Sequence, residues 1–134
     1  MRLIVLMGVL SGVAQAETCA DYHQIHLRGI LSSQTFPGPP NYTSVSSGDA
    51  EETYFFINLA QPVCVSKGQS PLEPAIDHID NIQLIFDWRS ARDSYEALRP
   101  YLQKSVECTG VLLGRHTGHH HSEVMLTDAK CHAT

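Results

Sequence analysis

No cluster of lysine or arginine occurs anywhere in the chain, whose nine cations are outnumbered by fourteen carboxylates for a formal charge of −5 over 134 residues. Nucleic acid needs a basic footprint, and anionic membranes attract polybasic patches, so neither partner is expected. Beyond the first sixteen residues no apolar run approaches the roughly 20 residues of a membrane-spanning helix, and no membrane insertion is expected. Gly-x-Ser-x-Gly, HExxH, phosphate-loop and Cys–His nucleophile patterns are all missing, so no catalytic residue is assigned and the chain does not read as an enzyme. No two cysteines stand at the short spacing of a structural zinc site.

What is present begins with MRLIVLMGVLSGVAQA. One charge at Arg2, an apolar run from Leu3 to about Val13, and Ala14 and Ala16 bracketing Gln15 read as a secretory leader cleaved after Ala16. Cys19 follows Glu17 and Thr18, unlike a lipoprotein signal. Residues 17–134 are then one exported, periplasmic or secreted domain, and the 43% hydrophobic content of the full sequence is enough for one modest core. Losing Arg2 takes its formal charge from −5 to −6. Cys19, Cys64, Cys108 and Cys131 are an even set in an oxidising compartment, which favours two disulfides over a four-thiolate zinc site.

Strand signals dominate. Residues 23–36 alternate imperfectly and carry Gly29, as a long bent strand would. Residues 53–65 are aromatic and β-branched, ending near Pro62, and residues 81–88 form a third strand. SARDSYEALRPYLQK, residues 90–104, is the one helix: Tyr95, Leu98 and Leu102 recur at helical spacing, Ser90 or Asp93 can cap it, and Pro100 kinks or restarts it. Residues 105–114 and 122–131 supply the last two strands. The order β-β-β-α-β-β predicts a mainly β, five-stranded, OB-like Greek-key barrel. A β-sandwich would need about seven strands.

Two loops then stand out, and in this barrel class both border the ligand face. FPGPPNYTSVSSGDAEE joins the first two strands, with Phe36, Pro39, Pro40 and Tyr42 as candidate ligand-binding residues. RHTGHHHSEV joins the last two and holds His116, His119, His120, His121 and Glu123. Pairing those strands about a centre between His119 and His120 sets Cys108 opposite Cys131, His116 opposite Glu123 and His121 opposite Gly118. A Cys108–Cys131 bridge follows, leaving Cys19–Cys64. The same register gathers His116, His121 and Glu123 on one face, a set suited to zinc first, or to copper, nickel or iron. A one-residue slip would scatter them. The plainer alternative is a polar turn with Gly118 at positive φ and solvated histidines, and a pH-sensitive role is a further one.

His23, His26 and His78 read as surface histidines. Asp49, Glu51 and Glu52 read as metal or carbohydrate carboxylates, or as a solvated strand edge; Asp77 and Asp80 read as paired carboxylates or loop caps. Asn41, Tyr42 and Thr43 match a glycosylation acceptor, which matters only in a eukaryotic host.

FPGPPNY, GDAEETYFFINLAQPVCV and YLQKSVECTGVLLGRHTGHHHSEVMLT together resemble an uncharacterised family of small bacterial exported domains, the domain of unknown function DUF4431. The resemblance runs from about Leu27 to Leu126 and implies a β-rich, periplasmic domain marked by residues 37–42 and 116–121. It implies no activity. Two functions remain: a binding module taking a divalent metal or a small polar ligand between the loops, or an inhibitor- or immunity-type domain presenting them to an unidentified protein partner.

Overall fold

The computed structural model describes residues 18–134, so the leader read over residues 1–16 and its cleavage point lie outside the described residues. Five strands, β1 (Ile25–Pro37), β2 (Glu51–Val65), β3 (Ile76–Ile85), β4 (Ser105–Gly114) and β5 (Val124–Ala133), close a barrel in the order β1-β2-β3-β5-β4. Helix α1 (Ala91–Leu98) lies between β3 and β4. The expected OB-like barrel is thus the architecture. Both disulfides, Cys19–Cys64 and Cys108–Cys131, are formed as the strand pattern predicted.

Alternation builds the wall. Ile25, Leu27 and Leu31 of β1 are buried while His26, Arg28 and Ile30 face outward, the period-two pattern of a strand with one wet face. β1 pairs with β4 over its first half and with β2 over its second, and the two ladders overlap at Gly29 and Ile30. A Cβ at Gly29 would collide with the Asn58 carbonyl, so the bend requires glycine there. Phe55, Ile57, Ile82, Leu84, Val106, Leu112, Val124 and Leu126 fill the interior. α1 plugs one end: Leu98 is buried, and Tyr95 packs edge-on against Phe55 and Phe86 at 4.8 and 4.9 Å.

Several boundaries differ from expectation. α1 stops at Leu98, and Pro100 sits in a following 3-10 turn, because a proline ring inside an α-helix would clash with the preceding turn. Ser90 occupies the N-cap position but its side chain does not cap. β3 starts at Ile76 rather than 81 and stops before Trp88, which is solvent-exposed. Its polar start, IDHID, is still strand because Ile79 turns inward while Asp77, His78 and Asp80 are solvated on an edge. β3 meets β5 only over Gln83–Ile85, in parallel, so residues 76–82 have a neighbouring strand on the β2 side alone.

The last hairpin carries the decisive correction. Cys108 pairs with Cys131 and Thr109 with Lys130, but Val111 then pairs with Thr127, so Asp128 and Ala129 together oppose Gly110. Asp128 takes the left-handed conformation (φ 49°), and a Cβ at Gly110 would come 2.5 Å from the Thr127 carbonyl oxygen. This bulge shifts the register by one. The ladder ends at Gly114 and Val124, and Arg115, not His116, lies opposite Glu123, donating its N–H to the Glu123 carbonyl at 3.0 Å. His121 does not oppose Gly118 either, since both belong to a loop beyond the paired strands.

Candidate functional site

The β1–β2 loop is organised by one carboxylate. Asp49, almost fully buried, accepts the Asn41 N–H on Oδ1 (2.9 Å), and on Oδ2 the N–H groups of Thr43 (2.8 Å) and Ser44 (3.0 Å) and the Thr43 hydroxyl (3.1 Å). The Ser44 and Thr43 amides lead in holding its carboxyl far below the ordinary range, against the opposing effect of burial. Within this ring Tyr42 is forced to φ 57°, a left-handed conformation costly for an aromatic residue. Its side chain projects toward the β4–β5 loop.

That second loop, residues 115–123, is bolted to β3 by Gln83. The fully buried Gln83 side chain accepts the His121 N–H on Oε1 (2.7 Å) and donates from Nε2 to the His119 carbonyl (2.9 Å). Ser122 Oγ accepts the Gln83 N–H at 2.9 Å. His116 uses Nδ1 on the Gly114 carbonyl (2.9 Å) and gives its N–H to His120 Nδ1 (3.2 Å), with the two rings edge-on at 4.6 Å. Gly118 does not take positive φ; it makes room for Tyr42, whose ring would lie 3.0 Å from an added Cβ.

The loops meet over the start of β2. Glu52 Oε2 lies 2.8 Å from His119 Nδ1 and accepts the Tyr54 hydroxyl at 2.5 Å. This network assigns the His119 proton to Nδ1, leaving Nε2 to face the Tyr42 hydroxyl at 3.3 Å. Burial alone would raise the Glu52 carboxyl, but the hydrogen bonds from Tyr54 and His119 and the nearby imidazoles bring it below its usual value. Burial, then the bond to Glu52, pushes the Tyr54 phenol up. His121 stacks face to face on Phe36, centroids 3.7 Å apart and planes 1° from parallel. Burial lowers the His121 pKa despite Glu52, and its Nε2 is buried without a hydrogen-bond partner among the described residues. Burial, with the charges of neighbouring histidines, lowers His120 as well.

The five residues expected to ligate a metal are therefore split. His119 and His121 face Glu52, Tyr54 and Phe36; His116 and His120 pair with each other; Glu123 is exposed on another flank, lining a hollow with Arg115. Among the described residues no three of His, Cys, Asp and Glu converge so as to hold a metal ion. Of the expected ligand-binding residues, Phe36 and Tyr42 join the cluster. Pro39 and Pro40 are exposed, and their side chains take no part in its hydrogen bonds. Tyr54 and Gln83 escaped the sequence reading. Tyr54 stands two residues from Glu52, on the same strand face; Gln83 is the one polar residue in the run IQLIF, and a buried polar group demands partners.

Residues 81–129 match the model of the family Domain of unknown function (DUF4431). The resemblance read from the sequence holds over this segment, which includes the histidine loop, whereas PGPPNY lies outside the match. No curated protein and no solved structure matches the chain.

Proposed function

We propose that the chain is an exported, periplasmic binding module whose ligand seat is the junction of the β1–β2 and β4–β5 loops, and whose ligand is a small hydroxyl- or amine-bearing molecule. The observation that carries this is Tyr42, held at φ 57° with its hydroxyl against the half-exposed His119 ring. Backbone strain of this kind persists where the surroundings over-determine it, and it clusters at ligand clamps. The seat offers the Glu52 carboxylate and the half-exposed His119 Nε2 as acceptors, beside the ring of Tyr42 as an apolar platform. A hydrogen-bond-donating ligand with a small apolar face complements that set. Two disulfides suit the export reading.

A small polar ligand fits better than a divalent metal because among the described residues no three of His, Cys, Asp and Glu converge, and His116 and His120 pair with each other apart from His119 and His121.

The test is nitrogen-15 NMR of the histidine rings in disulfide-intact protein titrated with monosaccharides, short amines and, separately, zinc chloride. The expected result is movement of the His119 and His121 signals with a sugar or amine, lost in Tyr42→Phe. Movement with zinc alone would replace the small molecule by a metal, and rings that ignore every probe would withdraw the junction as a ligand seat.

A further inference from the structure

A second surface lies away from the loop junction, along the β3 edge that β5 leaves uncovered. Gln83 donates its N–H to Ser122, on the β5 side. Successive residues of a strand turn their backbone groups to alternate sides, so Asn81, two residues from Gln83 within the regular part of the β2 ladder, also directs its N–H and C=O away from β2. Among the described residues no strand receives them there. Two adjoining hollows of about 540 and 350 Å³ run along this edge, and Arg115 and Glu123 line both from the opposite wall.

The groove is acidic. Asp77 and Asp80 project from the edge and Glu123 lines the same hollows; among the described residues none of the three meets a lysine or arginine, and only His78 approaches Asp80, at 3.7 Å. Arg115, the one cation of the walls, has its Nε on the Ser122 carbonyl at 3.0 Å. An unpaired edge is a template for another strand, and proteins that keep such edges idle usually cover them or guard them with lysine. Here the edge is left uncovered and lined with carboxylates.

We propose that this edge docks an extended, lysine- or arginine-bearing segment of a partner protein, which adds a strand to β3 and sets its cations against Asp77, Asp80 and Glu123. Strand addition draws affinity from the backbone and specificity from alternate side chains. The charges also choose between occupants: a second copy pairing edge to edge would align Asp77 and Asp80 of both chains along one seam, and like charges across strands repel.

The test is calorimetry on the disulfide-intact protein with a short peptide alternating lysine and valine, alongside amide exchange at Asn81. The expected result is binding that slows exchange at that amide. It should weaken by about tenfold or more on N-methylation of alternate peptide nitrogens, and similarly in Asp77→Asn/Asp80→Asn/Glu123→Gln, whose changes are all solvent-exposed. Tyr42→Phe should leave it unchanged, which separates this surface from the loop junction. Failure of the peptide to bind, or equal binding of its N-methylated form, would overturn strand addition. Sedimentation showing a dimer that protects the same amide would assign the edge to a second copy instead.

Discussion

Gln83 holds the histidine loop to the barrel through two side-chain bonds to its backbone, and its removal is the sharpest single-residue test of the site. Gln83→Leu keeps the volume but orphans the His121 N–H and the His119 carbonyl. Each buried unpaired group costs about 1–3 kcal/mol, so a loss of that order is expected in urea unfolding, together with faster exchange of the His121 amide. Gln83→Glu should be worse, because a carboxylate still accepts from His121 but confronts the His119 carbonyl with charge in a buried position. At this scale the sequence was half legible. Four histidines in six positions marked the loop that meets the start of β2, and Phe36 and Tyr42, singled out as candidate ligand contacts, lie in the same cluster. Which histidines share a face was not readable, because each ring's direction is set by what it meets on another strand: His116 Nδ1 the Gly114 carbonyl of β4, His119 Nδ1 the Glu52 carboxylate of β2, and His121 the Phe36 ring of β1.

The element that most changes the site is the bulge in the β4–β5 hairpin. Pairing Cys108 with Cys131 was correct, yet the extension of that register to His116 and Glu123 failed, because a strand pattern cannot show one extra residue on one side of a ladder. The signal was present in Gly110 and in Asp128, a residue type that tolerates the left-handed region, but neither is diagnostic alone. Gly110→Val should force the Thr127 carbonyl aside and destabilise by about 1–3 kcal/mol. The histidine ring signals should shift even though the substitution lies well away from them in sequence, since the register of the tip is set there. A variant with unchanged stability and unchanged ring signals would show that the bulge does not position the loop. The barrel itself was legible because alternation and element order survive such local slips, whereas β3 was misplaced because an edge strand carries polar residues that resemble a loop.

At the scale of the molecule, the two disulfides and the titrating groups add to the stability that the barrel core supplies. The chain-entropy account gives roughly 4 kcal/mol for Cys19–Cys64, whose separation is 45, and somewhat less for Cys108–Cys131 at 23. Cys19→Ala/Cys64→Ala should therefore unfold at lower urea than Cys108→Ala/Cys131→Ala, the more so because the first bridge also anchors Ala20 beside Val65. Acid should act on the intact protein in two stages. His120 and His121 have folded pKa values below their ordinary 6.5, so the unfolded chain binds more protons as pH falls through that value. Their contribution is complete above about 6.5 and is lost progressively below it. Asp49 and Glu52 are also depressed, from ordinary values of 3.8 and 4.5, so a second loss begins as pH drops through that range and continues toward the lower folded values. Urea midpoints measured across pH 3 to 8 check both stages. His121→Asn should flatten the upper one and Asp49→Asn the lower, each leaving the other in place. A single transition indifferent to both substitutions would mean that the two loops contribute nothing to the pH dependence of folding, and that the network joining them is looser than its distances imply.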